Sequence, residues 1–339
     1  MEILIPLIKI AVVLAVLLTT VAYTVLVERK LAAAIQNRIG PNRVGWKGFL
    51  QPAADVLKLV MKEDIVPKTA YRFIHDLAPV ISIGVALTTF AVIPFGDRIT
   101  IFGQNIKLQI ADVNIGILYV LALTSLGVYG VTLSGWSSNS KYSLLGGLRS
   151  SAQMISYELA MGLSLIGVIM IAGTLQLDKI VEAQAGWKWN ILLQPFGFIM
   201  FVISSFAETN RLPFDLPEAE PELVGGYHTE YSGLKFGLFF LAEYANMVTA
   251  SAIITTVYLG GWQVPFVHNL GLSDQWVAIL QVAGFAVKVI LLVLFFIVIR
   301  WTIPRFRYDQ LMHLGWKVML PLAIVNLLVT GVLILGGIL

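Results

Sequence analysis

Long apolar runs constrain this chain more than any other feature. Eight stretches, roughly 3–27, 76–95, 113–134, 152–173, 191–207, 235–259, 277–299 and 316–337, are close to the length that crosses a bilayer as a helix, about 20 residues. The hydrocarbon layer holds no water to bond exposed backbone, so runs of this length must pair their peptide groups within helices. Composition agrees: 58% of the 339 residues are hydrophobic and 13% are charged, against about a quarter charged in a soluble domain. The reading is an all-α integral membrane protein, a single polytopic domain over 1–339 with about eight transmembrane helices. The first run lacks a basic leader and a small-residue cleavage site, so it reads as a retained helix and not a signal peptide.

Lys and Arg collect on the cytoplasmic side of membrane proteins. Counted by side, the loops after spans 1, 3, 5 and 7 with the first two residues of the spans that follow them carry 17 of the 23 basic residues, and the opposite side, Lys9 included, carries five. Both termini are therefore expected on the periplasmic (outer) side, with long cytoplasmic loops after helices 1 and 5. Within the first loop, GFLQPAADVLKLVMKED (48–64) is amphipathic. It is too short to span, and reads either as a helix lying on lipid or as one that roofs a cavity. DRITIFGQNIKLQIAD (97–112) alternates weakly, as a small hairpin would.

Several ionisable groups lie where lipid-facing chain would carry none. Glu158 falls inside the fourth run, Glu243 inside the sixth, Lys288 near the middle of the seventh, and Glu208 ends the fifth. Such groups cost several kcal/mol on insertion, so they normally face a protein interior or water and have a task. Two readings follow: buried ion pairs that hold helices in register, or a proton relay that begins at Glu208 and reaches inward. Desolvated, mutually repelling carboxylates can hold protons near neutral pH, which a relay needs. The segment ETNRLPFDLPEAEPELVGGYHTEYSG (208–233) adds to this set. Its Pro213, Pro217 and Pro221 prevent regular helix and space Glu218, Glu220 and Glu222 along irregular chain. Irregular backbone at this depth is tolerated where it lines a water-filled cavity or is buried in protein. Cysteine is absent, and His75, His228, His268 and His313 lie at or beyond span ends. A redox centre held by this chain is therefore not expected, nor a metal.

These residues carry a resemblance. The segment 208–233 is similar to the signature of the H subunit (mitochondrial subunit 1) of proton-pumping NADH:quinone oxidoreductase, respiratory complex I. LVERKLAAAIQNRIGPNRVGWKGFLQPAADVLKL (26–59), SSAQMISYEL (150–159) and PRFRYDQLMHLGWK (304–317) resemble further motifs of that family, in the same order. The resemblance implies a subunit of a translocase with no redox centre of its own, which helps enclose a quinone chamber and contains a chain of acids. Carried over residue by residue, the acids are Glu158, Glu208, Glu218, Glu220, Glu222, Glu230 and Glu243. The chamber residues are Arg29, Asp55 and Arg300, with Phe240 and Tyr244 accompanying Glu243. Arg38, Arg43, Arg305 and Arg307 are expected to form a surface that docks a hydrophilic arm.

The same resemblance implies quinone as substrate, with FMN, NADH and iron–sulfur clusters held by partner subunits. Partners would be the quinone-site and iron–sulfur subunits, neighbouring small membrane subunits and lipid, with no nucleic acid. The expected location is the bacterial inner membrane, the mitochondrial inner membrane being the alternative. Two other functions stay open at this point: the homologous subunit of a membrane-bound hydrogenase or related ferredoxin- or coenzyme-linked pump, and a stand-alone cation/proton antiporter.

Overall fold

A computed structural model describes residues 4–101, 104–186, 188–216, 223–265 and 273–337. The apolar runs fold as helices: α1 Leu4–Ile35, α2 Gln51–Met61, α3 Arg72–Thr89, α4 Gly116–Ser137, α5 Lys141–Ala172, α6 Leu177–Ala183, α7 Asn190–Leu193, α8 Pro195–Glu208, α9 Gly233–Tyr258, α10 Asp274–Thr302, α11 Tyr308–His313 and α12 Leu320–Leu335. A π-helical turn, Leu314–Met319, joins α11 to α12. Among the described residues seven helical stretches are long and apolar enough to cross a membrane, and α8, with 14 residues, is a shorter apolar helix in the place of the fifth expected span. Together they make a multi-pass, all-α membrane protein. The expected hairpin forms between β1 Arg98–Ile101 and β2 Gln104–Lys107, antiparallel with Arg98 opposite Lys107.

Several helices outrun their apolar cores. α1 continues through the basic VERK sequence to Ile35, and α5 begins at Lys141, well before the expected start at 152. Nothing in a helix's hydrogen bonding ends it at the edge of the apolar layer, so hydropathy marks the lipid-matched part only.

α9 lies at the centre. It packs on α1, α2, α3, α8 and α10, while α5 packs on α4, α8 and α12. Its inward side chains, Ala245, Met247, Ile254, Val257 and Tyr258 among them, form the middle of the main apolar core. One close approach fixes the loop before α9. A Cβ on Gly146 of α5 would fall 2.6 Å from the Gly226 backbone, so only glycine lets this loop press against α5. The amphipathic α2 lies across α1 and α9, with Leu57, Val60 and Met61 exposed on its outer side. It both roofs a cavity and presents an apolar outer face.

Candidate functional site

α1, α9, α10 and the loop after α8 meet in a buried cluster of charge. Glu28 of α1, 4% exposed, accepts hydrogen bonds from Arg211 Nη1 at 3.2 Å, the Tyr244 hydroxyl at 2.8 Å and Arg300 Nη1 at 2.5 Å. Arg211 Nε makes an ion-pair contact with Glu243 Oε1 at 2.8 Å. The Arg211 guanidinium also stacks on the Tyr244 ring, 4.0 Å from its centroid. Two carboxylates thus face two guanidiniums, which offsets the several kcal/mol that each ion loses on leaving water. Beside the cluster Arg305 pairs with Asp215 at 3.1 Å. Burial pushes the Asp215 carboxyl above its usual range, although Arg305 and Arg300 both pull it down.

Two cavities flank this cluster. The larger, about 720 Å³, opens between α1, α2 and α9, with Arg29, Gln51, Asp55, Phe236 and Phe240 among its walls. At its mouth Arg29 and Asp55 pair at 2.7 Å, and Gln51 Nε2 donates to the second Asp55 oxygen at 2.9 Å. The rest is mostly apolar, and His228 in its wall is held neutral, burial pushing the imidazole down to about 4. The smaller cavity, about 50 Å³, is lined by Glu208, Glu243, Ser82, Thr124, Asn210 and Asn246. A water needs about 10–15 Å³ of such space, so a few fit among these polar groups. α9 spans both. Phe236, Phe240 and Tyr244 stack in sequence along one side of it, at 6.3 and 4.7 Å between ring centroids. This line leads from the cleft to the Tyr244–Glu28 bond, and Glu243 next in the chain faces the small cavity.

The structure brings together many of the residues singled out from the sequence. Glu208 and Glu243 share the small cavity, and Glu158 accepts a hydrogen bond from Ser125, whose neighbour Thr124 lines that cavity. Arg29, Asp55 and Phe240 line the cleft, while Tyr244 and Arg300 belong to the cluster. Glu230 is partly buried between the cleft-lining Thr229 and Tyr231. Glu218, Glu220 and Glu222 lie outside the described residues. Arg38, Arg43, Arg305 and Arg307 are exposed, with Arg307 holding Asp309 by bonds of 2.5 and 2.6 Å and Arg305 pairing with Asp215.

Some expectations change. Lys288 is not brought to the acids: its ammonium donates to the carbonyls of Leu259, Gly261 and Gln263, in the chain that follows α9. His75 does lie at a span end, in the first turn of α3, where it is fully buried and stacked on Tyr231 at 3.9 Å. Glu243 is paired, but with Arg211 and not with Lys288.

Glu28, Arg211 and Asp215 were not singled out from the sequence. For Glu28 a signal was available. Leu17, Val21, Thr24, Glu28 and Ala32 are all buried and follow helical spacing, which continues the apolar stripe of α1 through the charged VERK sequence. Arg211 is the one cation in a segment crowded with carboxylates, which is itself a pairing signal.

Comparison with known proteins identifies the family. A family model described as NADH dehydrogenase matches residues 8–331. The chain is 54% identical to an H subunit of NADH-quinone oxidoreductase from Geobacter sulfurreducens, with 96% of this chain and 94% of the relative covered. It is 52% identical to an H subunit of NADH-quinone oxidoreductase from Cytophaga hutchinsonii, with 92% of each covered. It is 53% identical to NADH-quinone oxidoreductase subunit 8 of Rhodothermus marinus, again with 92% of each covered. A match over nearly the whole length, together with half or more of the residues shared, places the chain in the NADH dehydrogenase family, to which it belongs.

Proposed function

We propose that this chain is the membrane subunit of a proton-pumping NADH:quinone oxidoreductase that walls the quinone cleft and passes the effect of quinone reduction to a chain of buried acids. The observation that carries the reading is the continuity along α9: aromatic walls of the cleft at Phe236 and Phe240, the Tyr244–Glu28 bond, then Glu243 on the small cavity with Glu208. Reduction of a quinone to the neutral quinol takes two electrons from a partner and two protons, and where those protons are drawn from groups at the inner end of the cleft, those groups are left more negative. Arg211, touching both Glu28 and Glu243, is placed to feel that change. Carboxylates sharing a desolvated site respond to a neighbouring charge by shifting their proton affinity.

Electrons would come from a partner, and the exposed Arg38, Arg43, Arg305 and Arg307 would meet the hydrophilic arm that carries FMN and iron–sulfur clusters. The relatives are bacterial, which favours the bacterial inner membrane, and the basic loops favour both termini on its outer side. Relatives named as parts of NADH-quinone oxidoreductase disfavour the hydrogenase reading, and the cleft beside the acid pair disfavours a stand-alone antiporter.

Phe240→Ala in the assembled complex tests the cleft. It should raise the KM for quinone several-fold while NADH oxidation by artificial acceptors stays at the parental rate. An unchanged KM would remove Phe240, and with it this cleft, from quinone binding.

A further inference from the structure

Lys288 of α10 is a half-buried cation that the acid cluster does not use. Its ammonium donates to the carbonyls of Leu259, Gly261 and Gln263 at 2.8, 3.0 and 2.8 Å, which matches its three N–H bonds. The Trp189 ring closes the remaining side at 4.6 Å. The backbone is built for this. Gly260 and Gly261 both take positive φ, 73° and 51°. A Cβ on Gly260 would strike the Trp189 ring at 2.8 Å, and one on Gly261 would strike Val181 at 2.5 Å. Among the described residues no carboxylate pairs with Lys288, so the cage leaves its positive charge uncompensated.

A line of polar groups runs from the acids toward this cage. Ser204 lies one helical turn before Glu208, and Thr249 one turn beyond the cavity-lining Asn246. Both hydroxyls are buried without a hydrogen-bond partner. Further along α9, Gln184 bonds the Thr256 carbonyl at 3.0 Å and accepts the Gly260 N–H at 3.0 Å, and Asn190 bonds the Val257 carbonyl at 2.7 Å. Unpartnered hydroxyls such as those of Ser204 and Thr249 can hold water, and a water file between acids and the far side would let protons run out.

We propose that Lys288 is the electrostatic stop of the polar path: a fixed positive charge that keeps hydronium from passing between the acid chain and the far end of α9. A single cation held in a pore lining excludes protons and other cations in this way. The inference rests on the relay reading above, since a stop has a purpose only where acids exchange protons.

The test uses the assembled complex in sealed proteoliposomes, with passive proton leak measured in the absence of NADH and quinone. Lys288→Gln keeps donors for the carbonyls and removes the charge; Lys288→Met removes both; Lys288→Arg keeps the charge. Assembly is checked by native gel. Leak should rise several-fold in the Gln and Met variants and stay near parental in the Arg variant. A tight Gln variant would overturn the proposal. So would an Arg variant that leaks as the Gln variant does, or loss of assembly in both neutral variants while Arg assembles, since each outcome makes Lys288 a staple for the backbone. Glu243→Gln is carried alongside: pumping at the parental rate there refutes the relay itself, whereas a tight Lys288→Gln beside an impaired Glu243→Gln refutes only the stop.

Discussion

The two ends of α9 bury polar groups in opposite ways. In its first half, around Glu243 and Tyr244, Glu28, Arg211, Glu243 and Arg300 form a charged network in contact with Tyr244. Near its far end the buried groups are neutral amides and hydroxyls. Gln184 ties Thr256, Asn190 and Gly260, and Gln194 donates to Thr330 at 2.6 Å and accepts from Asn326 at 3.0 Å. A neutral network satisfies wrapped backbone and polar side chains at low cost. A charged one is often no more stable than an apolar replacement of the same volume, so its presence calls for another explanation. Charge at one end marks where the molecule acts, and amides at the other mark where it is held together. The charged exceptions at the far end are the Lys107–Asp178 pair beside α6 and Lys288, for which no carboxylate partner is found among the described residues, and that motivates the stop proposed for Lys288.

The largest effect expected from breaking this contrast is at Arg211. Arg211→Ala leaves Glu28 with Arg300 and the Tyr244 hydroxyl, but strips Glu243 of its partner. Removing one member of a buried pair costs about 3–5 kcal/mol, so the assembled complex should lose thermal stability markedly or fail to assemble. Stability within experimental error of the parent would mean that the cluster is hydrated and not a buried network. At the neutral end Gln194→Ala should cost less, about 1–3 kcal/mol for the partners left unsatisfied at Thr330 and Asn326. Its thermal midpoint should fall while proton pumping per quinone reduced stays parental. A change in that ratio would blur the division between the two ends.

How much of this was legible in the sequence follows from the same contrast. Apolar runs announced the spanning helices, because lipid contact imposes composition along each whole run. Their ends were not announced: α5 starts at Lys141 and α1 runs to Ile35, since polar chain outside the apolar layer remains helical without any hydropathy signal. Ionisable residues inside runs, such as Glu243, declared themselves by their cost. Their partners did not. Arg211 comes from a loop, and its approach to Glu28 and Glu243 depends on how that loop returns to the bundle, which no local spacing encodes. Lys288 shows the limit most clearly, because its partners are backbone carbonyls turned inward at Gly260 and Gly261. Every residue has a carbonyl, so composition cannot point to that cage.

Glu243→Gln tests the central claim most directly. Glutamine keeps the shape of the side chain and Arg211 keeps its contact with Glu28, but position 243 can no longer carry a proton. Artificial-acceptor activity, quinone reductase activity and proton uptake are to be measured on one membrane preparation. The account predicts an assembled complex with parental acceptor activity, in which quinone-linked turnover and proton translocation fall together, by about tenfold or more for a lost proton-transfer group. A variant that assembles fully and pumps at the parental rate would contradict it.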